Sequence, residues 1–178
     1  MMCIPLSSIS AIAKPLRLIM EALHLIQMMI FGRVCEDAME QLLTRVDHLG
    51  LAVHDLEQAI ASYRQQLALD AWEIIEMPER HMRVAVGQVG GTLLELIAPT
   101  SPDAAFAKFL AERGEGIHHV AYTVEDIDHA LESLQAQGVR LIDHQARPGI
   151  HGTRIAFIHP KALHGVLTEL VEHPKATV

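Results

Sequence analysis

Gly114-Glu115-Gly116-Ile117-His118-His119-Val120-Ala121-Tyr122-Thr123-Val124-Glu125-Asp126 starts polar and glycine-bearing, then runs into an apolar strand pattern with two histidines at the turning point. An earlier stretch, Val46-Asp47-His48-Leu49-Gly50-Leu51-Ala52-Val53-His54-Asp55, has the same shape. With His48 laid on His119, Val53 falls on Val124 and Asp55 on Asp126, all at one offset of 71 residues. A constant offset between matching patterns marks a duplicated module.

Each copy reads as βαβββ. In the first, residues 45–53 form a strand and Asp55 caps a helix over 56–69, whose apolar positions Leu56, Ala59, Ile60, Tyr63 and Leu67 recur at helical spacing. Strands follow at 72–75, 82–86 and 92–97, separated by the turns Pro78-Glu79-Arg80-His81 and Gly90-Gly91. Residues 101–116 hold a short connecting helix, opened by Pro102-Asp103 and ended by Gly114. The second copy runs as a strand at 116–124, a helix at 127–137 capped by Asp126 and ended by Gly138, a strand at 139–142, a turn at 147–152, and strands at 153–158 and 166–171. Arg83-Val84-Ala85 matches Arg154-Ile155-Ala156 at the offset of 71, whereas Leu94-Glu95-Leu96-Ile97 matches Thr168-Glu169-Leu170-Val171 at 74. The second copy therefore carries three extra residues in its last hairpin loop. The expected fold is α+β: two tandem βαβββ modules, residues 44–99 and 116–174, joined by a connector at 100–115 and forming a curved sheet around a shared cleft.

Composition narrows the classes. Half of the 178 residues are hydrophobic and 20% are charged, the profile of a folded globular chain. Lys and Arg number 14 against 22 Asp and Glu, a net charge of −8, so the basic footprint of a nucleic-acid binder is missing. The two cysteines, Cys3 and Cys35, lie upstream of the repeat and suit a reducing cytoplasm better than a disulfide scaffold. Residues 1–43 stand outside the repeat as an N-terminal extension, apolar from Ile9 to Ile30 but interrupted by Lys14, Pro15, Arg17 and Glu21. Its uninterrupted apolar span falls short of the roughly 20 residues a bilayer helix needs. It reads as a helical or disordered extension, or as translation upstream of a true start at Met28, Met29 or Met39.

The repeat also selects chemistry. His48 and His119 open the first strand of each copy, and Glu95 and Glu169 sit midway in the last. Single histidines or glutamates in strands are usually structural or solvated, but the same pair at matched positions in both copies is not an accident of composition. Two imidazoles and two carboxylates converging on one cleft make a mixed nitrogen and oxygen site for a divalent ion. His118 has Asp47 as its counterpart, which argues against it as a ligand.

Paired βαβββ modules with such ligands resemble the vicinal oxygen chelate (glyoxalase-type) superfamily. Within it, residues 45–173 resemble the methylmalonyl-CoA epimerases, at Met77-Pro78-Glu79 among other stretches and most specifically at the inter-module pieces Ala107-Lys108-Phe109-Leu110 and Gly114 through Ala121 and at His159-Pro160-Lys161. The resemblance implies that His48, Glu95, His119 and Glu169 hold a divalent metal ion, cobalt foremost, with zinc, manganese or magnesium as others. It implies methylmalonyl-CoA as substrate, Glu79 as a catalytic acid/base group and a homodimer. Glu169, a ligand that could also exchange protons, is the candidate for the second acid/base. Charge and span length give no expectation of nucleic acid or membrane as partner. Lys108, Arg113, Arg147, Arg154 and Lys161 are candidate cations for the anionic CoA tail. The chain departs from the family at His81, where relatives often carry glycine after the glutamate. Two other readings keep the fold: a glyoxalase-I-type lyase acting on a glutathione hemithioacetal, and a non-enzymatic small-molecule binding protein.

Overall fold

The computed structural model describes residues 41–175, so the expectations for residues 1–40 lie outside it. The elements are β1 (Arg45–Ala52), α1 (Leu56–Leu67), β2 (Trp72–Met77), β3 (Met82–Val89), β4 (Thr92–Pro99), α2 (Ala107–Arg113), β5 (Gly116–Thr123), α3 (Ile127–Ala136), β6 (Arg147–Pro148), β7 (Arg154–Ile158) and β8 (Thr168–Glu172). Short 3-10 turns lie at Pro78–Arg80, Ile150–Gly152 and Pro160–Ala162. The eight strands form one sheet in the order β2-β3-β4-β1-β5-β8-β7-β6. That order is the repeat made visible: each copy contributes four strands, its first strand parallel to its last, and β1 meets β5 antiparallel at the centre.

Residue alternation sorts the two faces of the sheet. On one face α1 covers Val53, Ala85, Leu96 and Ala98, while α3 covers Ala156, Ile158 and Leu170. The odd-even partners on the other face, among them Val84, Val86 and Ile97, meet Phe106 and Leu110 of the connector. Asp55 and Asp126 cap α1 and α3 identically, each accepting a backbone N–H three residues on at 2.9 Å. Opposite edges of the sheet touch: Arg80 Nη2 donates to the Pro148 carbonyl, and His151 Nε2 lies 3.1 Å from Glu73. First and last strands can only meet in this way if the sheet curls, and the curl encloses a cavity of about 620 Å³. Among the described residues no helix is long and apolar enough to cross a membrane.

One expected strand is misplaced. Residues 139–142 contribute only an isolated bridge, Leu141 to Ile158, and the edge strand β6 falls inside the expected turn. Asp143 explains the first half, because its Oδ2 accepts the Phe157 N–H at 2.9 Å and so replaces the ladder bond a neighbouring strand would make. Pro148, with no N–H to give, confines β6 to two residues at the edge. The connecting helix also begins later than expected, at Ala107, after a run of turns.

Gly50 is held to its identity by packing. A Cβ built there would lie on the imidazole of His119, the residue paired with Gly50 across the central seam. Gly50→Ala is predicted to destabilise the protein by about 1 to 3 kcal/mol, the usual cost of forcing atoms into a filled site. Gly91→Ala, where a Cβ meets nothing within 4 Å, should leave urea unfolding unchanged.

Candidate metal centre

The repeat positions that singled out two histidines and two glutamates meet at one place. Gly50 of β1 pairs with Glu95 of β4, and Ala121 of β5 pairs with Glu169 of β8, so each carboxylate lies beside the strand that carries its own module's histidine. The antiparallel seam then brings the two halves together. Ligand atoms of His48, Glu95 and His119 all fall within 4.8 Å of one another. Glu169 Oε2 lies 3.0 Å from His119 Nε2 and 3.4 Å from His48 Nε2, and Glu95 Oε2 lies 3.6 Å from His48 Nε2. All four side chains are buried, and they face the cavity.

Both imidazoles are oriented from behind by the residue that precedes them. His48 Nδ1 donates to Asp47 Oδ1 at 3.1 Å, which leaves Nε2 aimed at the cluster. His119 Nδ1 contacts His118 Nδ1 at 3.0 Å, and its Nε2 faces His48 Nε2 at 3.1 Å. His118 stands edge-on to Phe109, 5.1 Å between centroids, and lies tilted against Phe106 at 5.8 Å. Burial pushes His118 down to about 4, so it is a neutral ring able to accept the His119 Nδ1–H. Asp47 is only 4% exposed, and it also accepts from Thr123 Oγ1 at 2.8 Å and His173 Nε2 at 2.6 Å. Outer partners of this kind fix the tautomer and orientation of a ligating imidazole. In the sequence, the pairing of Asp47 with His118 argues only against His118 as a ligand. The same register identifies them as equivalent supports.

The electrostatics favour a cation. Burial alone would raise the Asp47 carboxyl, but hydrogen bonds from His48, His173 and Thr123 hold it well below the usual range. Burial likewise opposes charge on His48, yet Asp47 and Glu169 outweigh it and push His48 up to about 10. Burial raises Glu95, while hydrogen bonds from His119 and His48 overcome burial at Glu169 and bring it down to about 2. Two imidazole nitrogens and two carboxylates, buried together with extra negative charge behind, fit a divalent ion.

Glu79 lies on the Pro78–Arg80 turn, exposed at the cavity wall. His81 takes the left-handed conformation there, φ 54°, the backbone geometry a glycine would supply. Of the five cations proposed from sequence, Arg147 lines the cavity. Arg154 pairs with Asp128 and Glu172, Lys108 with Glu112, and Arg113 lies over the Phe109 ring. Arg80, not singled out from sequence, lines the cavity beside Glu79.

The profile of the Glyoxalase/Bleomycin resistance protein/Dioxygenase superfamily matches residues 47–157. Mitochondrial methylmalonyl-CoA epimerase of Bos taurus is 36% identical over 129 residues, 72% of this chain and 74% of its own length. A solved methylmalonyl-CoA epimerase in complex with methylmalonyl-CoA is 39% identical with a TM-score of 0.70, covering 75% of this chain and 96% of that one. A variant of the Streptomyces coelicolor epimerase, bound to 2-nitronate-propionyl-CoA, is 38% identical with a TM-score of 0.71, covering 76% and 99%. The chain belongs to this superfamily and, within it, to the methylmalonyl-CoA epimerases.

Two predictions concern the centre. Below about 10, His48 carries a proton that it must surrender to ligate an ion, so affinity rises with pH and falls with acid. Calorimetric titration with cobalt should show about a tenfold gain per pH unit from 6 to 8 if one proton is released per ion. Asp47→Asn should weaken cobalt binding by about 10- to 100-fold, the scale of losing an outer-shell partner.

Proposed function

We propose that this protein is a methylmalonyl-CoA epimerase, interconverting the two C2 epimers of its substrate by removing and returning the α-proton. The observation that carries the reading is the convergence of His48, Glu95, His119 and Glu169 on one buried cavity floor. Relatives that match nearly end to end and are described with methylmalonyl-CoA or 2-nitronate-propionyl-CoA bound support it. They favour it over the hemithioacetal lyase and the non-enzymatic binding protein.

The α-carbon of the substrate lies between a thioester carbonyl and a carboxylate. Removing its proton sends the C–H electron pair into the thioester carbonyl and leaves an enolate. A divalent ion held by His48, Glu95, His119 and Glu169 would supply Lewis-acid stabilisation of that negative charge. The chain's own part is proton handling and exclusion of water. Glu169, held ionised, serves as one base, and Glu79 on the cavity wall serves as the other. Proton removal by one carboxylate and delivery by the other inverts the centre. The reading carries with it cobalt as the ion, a homodimer and a cytoplasmic location. These rest on the family resemblance and, for the location, on the sequence's cysteine usage.

NMR of methylmalonyl-CoA in D2O with cobalt-loaded protein tests this. Rapid deuterium uptake at the α-carbon is expected, lost in His119→Ala and slowed by about 10²- to 10⁴-fold in Glu79→Ala. Absence of uptake by the loaded wild type would overturn the reading, and full activity in Glu79→Ala would move the base elsewhere.

A further inference from the structure

Two arginines share the cavity with the carboxylate cluster, one from each module. Arg80 ends the turn after β2, and Arg147 belongs to the edge strand β6. The curl of the sheet brings them together, since Arg80 Nη2 donates to the carbonyl of Pro148, the residue after Arg147. Arg147 is already anchored: Nε lies 3.3 Å from Asp143 Oδ2, and the guanidinium stands over Phe157, 5.3 Å from the ring centroid. Phe157 is in turn edge-on to His119 at 5.5 Å. Arg80 is half-buried, and among the described residues it pairs with no carboxylate within 4.0 Å. Burial and the neighbouring charge of Arg147 both press on its guanidinium, pushing it below its ordinary value. Two guanidinium groups held close in a half-buried site repel each other, and an anion forked between them removes that cost.

Among the described residues Arg80 and Arg147 are the only lysine or arginine side chains that line this cavity. We propose that Arg80 and Arg147 form a two-arginine subsite for the free carboxylate of the substrate's acyl group, selecting malonyl-type thioesters over simple acyl thioesters. The assignment rests on the epimerase reading for its substrate class. The CoA phosphates are the other source of negative charge on such a molecule. The pantetheine arm holds them far from the thioester, whereas Arg147 stacks on the ring that touches His119. Arg80, for its part, feels the charge of Glu169.

Binding of malonyl-CoA and of propionyl-CoA to cobalt-loaded wild type, Arg80→Gln, Arg80→Lys and Arg147→Gln separates these sources. The expected result is a loss of about 10- to 100-fold in malonyl-CoA affinity in both Gln variants, as for removal of a charge-assisted fork. Propionyl-CoA affinity should stay unchanged, and Arg80→Lys should recover part of the loss. Arg147→Gln leaves the Arg80 contact to Pro148 in place, so it tests the pair should Arg80→Gln unfold. Equal weakening of both thioesters would assign the arginines to the phosphates and overturn the proposal, as would no change in either. A wild type with an Arg80-dependent preference for malonyl-CoA but no α-deuterium exchange would keep the subsite and sink the epimerase reading. Exchange without that preference would do the reverse.

Discussion

The antiparallel seam between β1 and β5 is the constraint on which the site depends. It pairs Gly50 with His119, and the absence of a side chain at Gly50 lets the His119 ring lie across the seam toward His48. The two rings stand perpendicular with centroids 5.2 Å apart. Parallel pairing within each module then places Glu95 and Glu169 alongside. Neither copy alone gathers all four side chains. The duplicated chain does so because its copies meet head to tail at the one strand that bears the histidine.

Gathering two imidazoles and three carboxylates in a buried volume is costly in the absence of compensating charge. The fold manages the cost locally. Asp47 is satisfied by His48, Thr123 and His173, and no buried side-chain polar atom among the described residues lacks a partner. The supports differ between the copies in a telling way. An ionised Asp47 stands behind His48 and a neutral His118 behind His119, so one imidazole is the more basic ligand. A fully symmetric pair of anionic supports would add another buried negative charge to a site that already holds several.

Much of this was legible in the residues because a duplication is a comparison the chain makes with itself. The offset between His48 and His119 exposed the modules, and the same offset marked the equivalence of Asp47 and His118. That second equivalence does not by itself reveal a supporting role, because such a role depends on ring orientation, which spacing does not encode. The strand expected at 139–142 failed because Asp143 takes the Phe157 N–H with its side chain, a long-range contact invisible to local periodicity. Arg80 reads from the sequence only as part of a turn. Its place in the cavity follows from the curl that brings the edges at β2 and β6 together, a property of the whole sheet. His48, His119, Glu95 and Glu169 stand out in the sequence because they are repeated, whereas Arg80 has no counterpart in the second copy, where the offset of 71 reaches His151.

X-ray absorption at the cobalt edge, on wild type and on His48→Ala and His119→Ala, tests most directly whether one ion is held jointly by both modules. One cobalt per chain is expected, coordinated by two imidazole nitrogens and two carboxylate oxygens at about 2.0–2.2 Å, with zinc-like distances as the guide. Each single histidine variant should lose most of the bound ion. A wild-type spectrum with one imidazole, or full occupancy retained in either variant, would contradict it.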